Sequence, residues 1–225
     1  MWGDLFVDLL LASLIVALSP VILIAVTLIL STSQGQANGS LFTLGWLLGL
    51  LLITAVITAV TEAAEQEVEG ATALGSALKL GVGMLLLLLA ARKLMKRRKA
   101  GGDAPQPRWM QTISELKPRG AFILGFTLAA ANPKNLAFAA VAAVAIATSG
   151  ATGAAEWLAV IVFVLLCSWT VLGAWLATVL AREKAGPALA SVRGFMERHN
   201  TLIMAALYLF FGVRLALNGL TGLTG

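Results

Sequence analysis

A lysine flanked by two asparagines and preceded by a proline, Ala131-Asn132-Pro133-Lys134-Asn135, stands inside an otherwise apolar run from about Gly120 to Thr148. These residue types supply a point charge, two amides that both donate and accept, and a ring that removes a backbone N–H. In a segment of hydrocarbon length they are costly. The lysine alone costs roughly 2.5–3.5 kcal/mol at the centre of a spanning helix, and a carbonyl left unpaired by Pro133 has no water to turn to. The chemistry open to the stretch is electrostatic: the Lys134 ammonium suits an anionic head group, a carboxylate or backbone carbonyls. No acid lies at matching depth in the other apolar runs, so ligand or backbone carbonyls are its expected partners.

Helical geometry limits what the stretch can do. On a continuous helix Asn132 and Asn135 share a face with Gly125 and Leu128, whereas Lys134 points about 200° away from Asn132. The three side chains converge on one pocket only if Pro133 opens the turn and frees the carbonyl of Ala129. A counterpart, Ser19-Pro20, interrupts the first apolar run. Each proline is followed by about a dozen apolar residues, then by Ser31-Thr32-Ser33-Gln34-Gly35 in one case and Thr148-Ser149-Gly150 in the other. Paired prolines at corresponding positions point to a transporter site between broken helices, although a proline can also merely kink a membrane helix. Ser19, Pro20, Asn132, Pro133, Lys134 and Asn135 are therefore the candidate substrate-binding or gating residues. Nearer the outer surface, Asp8, Lys79 and Arg214 are candidates for intramembrane charge pairing, with snorkelling to the interface as the competing account.

Other chemistry finds little support. His199 has no second His or Cys near it in sequence, and Cys167 stands alone, so neither a metal ligand set nor a disulfide is expected. There is no nucleophile elbow, no HExxH and no carboxylate pair at membrane depth, and Glu62, Glu65, Glu67 and Glu69 read as a solvated acidic loop. The expectation is a protein that is not an enzyme and needs no cofactor.

The elements that must position these residues are apolar helices. Of 225 residues, 59% are apolar and 12% charged, against about a quarter charged in soluble domains. The mean hydropathy is +0.91. The formal charge of +5 gives no reason to expect nucleic acid, because in a membrane protein its distribution matters more than its sum. Uncharged or nearly uncharged runs cover about Leu9 to Leu30, Leu41 to Thr61, Ala71 to Ala91, Gly120 to Thr148, Trp157 to Ala181 and Thr201 to Leu220, each long enough for a hydrocarbon core of about 30 Å. Asp4 and Asp8 argue against a signal peptide. The connection after the third run carries the cluster Arg92 to Lys99, and the one after the fifth carries Arg182, Lys184, Arg193 and Arg198. The other connections are acidic or neutral. The positive-inside rule makes those two loops cytoplasmic and puts both termini outside.

The reading is an all-α integral membrane protein of six transmembrane helices arranged as two inverted three-helix repeats. Residues 1–95 form the first repeat, 96–118 a basic cytoplasmic linker, and 119–225 the second repeat. Within the linker, Trp109, Ile113 and Leu116 fall at helical spacing and predict a short amphipathic segment; Leu189, Val192 and Phe195 hint at another. The ends of the third and sixth runs echo each other, LLAARKL over Leu88 to Leu94 and FFGVRLA over Phe210 to Ala216.

The Asn132-Pro133-Lys134 stretch, the mid-helix proline of the first run and Gly212-Val213-Arg214-Leu215 near the end of the last resemble the LysE superfamily of small six-helix exporters. Leu18-Ser19-Pro20, Ser31-Thr32, Asn38-Gly39, Phe42 and Gly45-Trp46 more closely resemble its actinobacterial GAP or Sap branch, the sulfolipid- and glycopeptidolipid-addressing proteins. The resemblance spans nearly the whole chain. It implies a multi-pass protein of the bacterial cytoplasmic membrane that exports a lipid, glycolipid or related amphiphile, with membrane lipids, a larger lipid transporter and a second copy of the chain as partners. The first run has Ser19-Pro20-Val21 where the amino-acid exporters have Pro-Gly-Pro, which sets export of an amino acid or small cation behind lipid export. A membrane scaffold for a larger lipid-export complex remains the other alternative. A scaffold turns its polar and small residues toward a partner, whereas a transporter turns Pro20 and Asn132 inward.

Overall fold

A computed structural model describes residues 2–67, 71–100, 113, 116–180 and 182–224. Among them the secondary structure is helical: α1 (Trp2–Ala17), α2 (Pro20–Leu30), α3 (Gly35–Glu67), α4 (Ala71–Ala100), α5 (Pro118–Ala130), α6 (Pro133–Thr148), α7 (Ala154–Leu180) and α8 (Arg182–Thr224). Three of these helices begin on proline. Pro20, Pro118 and Pro133 each occupy the first helical position, where the missing N–H costs nothing and the fixed φ suits the helix.

Two predicted spans are bent pairs. The axis turns by 59° between Leu5–Ala17 and Pro20–Leu30, and by 57° between Pro118–Ala130 and Pro133–Thr148. Segments Gly35–Thr61, Ala154–Leu180 and Thr201–Thr224 are each long and apolar enough to cross a membrane, which makes three spans, or five when each bent pair counts as one. The molecule is thus an all-helical membrane protein. The helix carrying Lys79 and the Arg92–Lys93 pair, α4, is not among the spans that length and hydropathy alone pick out.

Several helices outrun the apolar segments expected of them. α3 continues past Thr61 to Glu67, and α4 runs through the basic cluster to Ala100, where a linker was expected from residue 96. The amphipathic stretch around Val192 is no separate element. It is the first part of α8, which continues through Pro187 into the last span without a break. Hydropathy marks where a helix meets hydrocarbon, whereas the backbone hydrogen-bond ladder propagates beyond it at no desolvation cost. Of the amphipathic segment expected near Trp109, Trp109 itself lies outside the described residues, which include Ile113, Leu116 and Lys117. Ile113 is buried, and the Leu116 carbonyl accepts a hydrogen bond from Asn38 Nδ2 at 2.9 Å.

Packing joins helices from both halves of the chain. α4 lies along α8, α3 along α5, and α1 against α7. The α3–α5 contact depends on having no side chain at two facing positions. A Cβ on Gly45 would strike the Phe122 carbonyl, and one on Gly125 would strike the Phe42 carbonyl. The core fills with large side chains from almost every helix, among them Ile15, Ile22, Trp46, Phe138 and Phe163. Two indole hydrogen bonds tie α3 to α7, from Trp46 Nε1 to Ser168 Oγ at 3.1 Å and from Trp175 Nε1 to Ser40 Oγ at 3.0 Å. The outward faces are apolar, with Val60, Leu88, Ile123 and Phe210 among their most exposed residues.

Candidate functional site

The site is built from two backbone interruptions. In the first, α1 ends at Ala17 and Ser19 takes an extended conformation (φ −72°, ψ 114°) before Pro20 restarts the helix. In the second, α5 ends at Ala130 and Asn132 takes nearly the same conformation (φ −82°, ψ 116°) before Pro133. A continuous helix would pair the carbonyls of Ile15 and Val16 with the N–H groups of residues 19 and 20, and those of Leu128 and Ala129 with residues 132 and 133. Each proline has no N–H to give, and each bend takes the preceding N–H away. The carbonyls at these helix ends must find donors elsewhere, because the surroundings are apolar.

The second break finds them locally. Asn135 Nδ2 donates to the carbonyls of both Leu128 (3.1 Å) and Ala129 (3.0 Å), and Asn132 Oδ1 accepts from the Lys134 backbone N–H at 3.1 Å as the cap of α6. The Ala129 carbonyl is therefore freed, as the position of Pro133 requires. One buried atom is left over: Asn135 Oδ1 has no partner.

The first break finds its donors on the other half of the chain. Lys134 Nζ donates to the Ile15 carbonyl at 2.8 Å, and Thr170 Oγ1 of α7 donates to the Ala17 carbonyl at 2.8 Å. Ser19 makes no capping bond with its own side chain. Lys134 is buried at 7% exposure, and its ammonium sits at the C-terminal end of α1, where the helix dipole favours a cation. Its partner is a backbone carbonyl, one of the two kinds expected for it.

These positions correct one expectation. Opening the turn at Pro133 does not bring all three polar side chains to one pocket: Asn135 folds back on α5, Asn132 caps its own helix, and Lys134 reaches across to α1. The reason is the angular one, since Lys134 leaves the helix on a different face from Asn132 and no bend at residue 133 cancels that. Ser19, Pro20, Lys134 and Asn135 are buried, Asn132 is half-buried and Pro133 is exposed.

Asp8, Lys79 and Arg214 do come together. They line a cavity of about 60 Å³ between α1, α4, α6 and α8, with Asn218 beside them and Phe138 and Phe211 among its apolar walls. Among the described residues no ion pair joins Asp8 to either cation. Sequence reasoning missed Thr170, Ser168 and Ser40. A hydroxyl on an apolar helix normally bonds to its own backbone, as Ser13 does to the Leu10 carbonyl, and nothing in the local sequence marks one that reaches another helix.

Comparison with curated proteins and with solved structures gives no match. A family model described as "Sap, sulfolipid-1-addressing protein" matches residues 9–221, a range that contains both breaks, Lys79 and Arg214. Since that match covers nearly the whole chain, the protein belongs to the Sap, sulfolipid-1-addressing protein family.

Proposed function

We propose that this chain is an exporter, or flippase-like transporter, of a lipid, glycolipid or related amphiphile in the bacterial cytoplasmic membrane. The observation that carries the reading is the pair of broken spans within a chain of this family: two prolines, 59° and 57° bends, and buried polar groups meeting across the halves. Broken helices at membrane depth present backbone groups that an amphiphile's head can use, which an unbroken bundle does not. Pro20 is buried and Asn132 half-buried, the inward placement that supports transport over scaffolding.

In this reading α4 is the sixth span, and the chain is two inverted three-helix repeats of the LysE-superfamily kind. The packing supports it, because α1 against α7 and α3 against α5 are the same contact with the halves exchanged. The basic segments Arg92–Lys99 and Arg182–Arg198 lie inside, so both termini lie outside. Movement is by rocking of one half on the other, with Lys134 releasing the Ile15 carbonyl as α1 swings and meeting an anionic head group in its place. Chemistry on the substrate has no part in it. A larger lipid transporter and a second copy of the chain are the proposed partners.

One observation favours the rival reading of a membrane scaffold. Lys134 Nζ and Asn135 Nδ2 both donate to backbone carbonyls, as polar groups serving helix packing would. Reconstitution of the pure protein in liposomes separates the two. Transport predicts that fluorescent lipid crosses the bilayer faster than in empty liposomes while labelled amino acids stay enclosed. Lipid movement at the empty-liposome rate overturns autonomous transport, and amino-acid flux replaces the lipid reading with export of small solutes.

A further inference from the structure

The cavity between α1, α4, α6 and α8 takes no part in closing either break, yet two cations and one carboxylate line it. Lys79 enters from α4 and Arg214 from α8, with Asn218 one turn further on, so the guanidinium and the amide project from the same side of α8. Asp8 of α1 is the single carboxylate, and with no ion pair made to it two cations face one anion in a partly desolvated space. Such an excess of positive charge calls for an anionic ligand. Arginine's planar fork suits an oxyanion that it can hold through two oxygens, and lysine adds a point charge.

The walls narrow the ligand. The cavity has about 60 Å³, room for a small oxyanion between the two cations. Phe138 and Phe211, in edge contact with ring centroids 6.5 Å apart, give it an apolar back wall. Asp8 and Asn218 are exposed at its rim, and the outer face of α8 beside it is apolar, with Phe210 61% and Leu217 57% exposed. A head group seated between the cations would leave its chains along that face, in lipid. A free anion gains the cation contacts but nothing from the apolar face.

We propose that this cavity binds the sulfate or phosphate head group of an amphiphile, with Lys79 and Arg214 as its cation pair. The proposal rests on the lipid-export reading and gives the head group a place in the fold. By the charge distribution of the loops the cavity opens toward the outer leaflet, which makes it a release or holding site for a head group that has already crossed. Asp8 opposes the anion and keeps the site weak enough to let go.

The test is binding, measured by native mass spectrometry of the full chain released from phosphatidylcholine nanodiscs doped with galactosylceramide 3-sulfate or with unsulfated galactosylceramide. The native protein is expected to retain the sulfated lipid about tenfold better than its parent, since a charge-assisted contact is lost with the sulfate. Arg214→Gln and Lys79→Gln should each remove most of that preference. Asp8→Asn should raise retention about threefold, an effect of opposite sign that misfolding does not mimic. Equal retention of the two lipids, no change in the Arg214→Gln protein, or full displacement by millimolar sodium sulfate would each overturn the proposal, the last because it marks a site for free anions. Failure here is separable from failure of export. Retention without lipid movement in liposomes would break the transport reading alone, and lipid movement with retention insensitive to Lys79 and Arg214 would break the cavity alone.

Discussion

The two breaks have one shape and two ways of being closed. Ser19 and Asn132 share an extended conformation ahead of a helix-starting proline, and the bends differ by only 2° (59° against 57°). The second break closes itself, with Asn132 capping α6 and Asn135 serving two carbonyls of α5. The first has no such side chains and borrows Lys134 and Thr170 from the other half of the chain. Equal backbone geometry therefore hides unequal dependence. The second break is a rigid corner, and the first is a joint whose satisfaction depends on how the halves sit against each other. A relative movement of the halves would be felt at α1 first.

The largest expected effect strengthens or breaks the rigid side of that comparison. In Gly125→Leu the new side chain meets the Phe42 carbonyl on α3, against which the self-closed corner is braced. A clash with backbone has no flexible neighbour to yield, so a loss of about 3 kcal/mol is expected in reversible unfolding from detergent micelles. Next comes Asn135→Leu, which keeps the shape but strips the donors from the Leu128 and Ala129 carbonyls, for about 2 kcal/mol. A protein unchanged by that substitution would mean the corner is held by packing alone. Thr170→Val removes one of the two borrowed donors from the joint and is expected to cost about 1 kcal/mol. The smallest effect on stability belongs to Lys134→Met. It leaves the Ile15 carbonyl bare but also relieves a buried charge, so the net change in the same unfolding measurement should stay within about 1 kcal/mol.

Much of this asymmetry could be read in the chain before the fold. A proline at residue 133 frees the Ala129 carbonyl whatever surrounds it, and the 100° step per residue separates Lys134 from Asn132. The positions of Asp8, Lys79 and Arg214 at similar depth near one end of their helices followed from where the apolar runs begin and end, and the structure gathers them in one cavity. The destination of Lys134 could not be read. A carbonyl in the last turn of α1 becomes an acceptor only through the bend at Ser19 and the packing of α6 on α1, neither of which leaves a mark on residues 134 or 15. Helix lengths were misjudged for a simpler reason: α3, α4 and α8 extend past their apolar segments, where charged residues continue a helix as well as apolar ones do.

The central claim is that the Lys134 contact with the Ile15 carbonyl serves movement of lipid more than it serves folding. Its most direct measurement is the initial rate of lipid translocation in liposomes carrying equal amounts of folded native or Lys134→Met protein. The account predicts a rate that falls to that of empty liposomes while the unfolding midpoint stays close to the native one. A Lys134→Met protein that moves lipid at the native rate would contradict it.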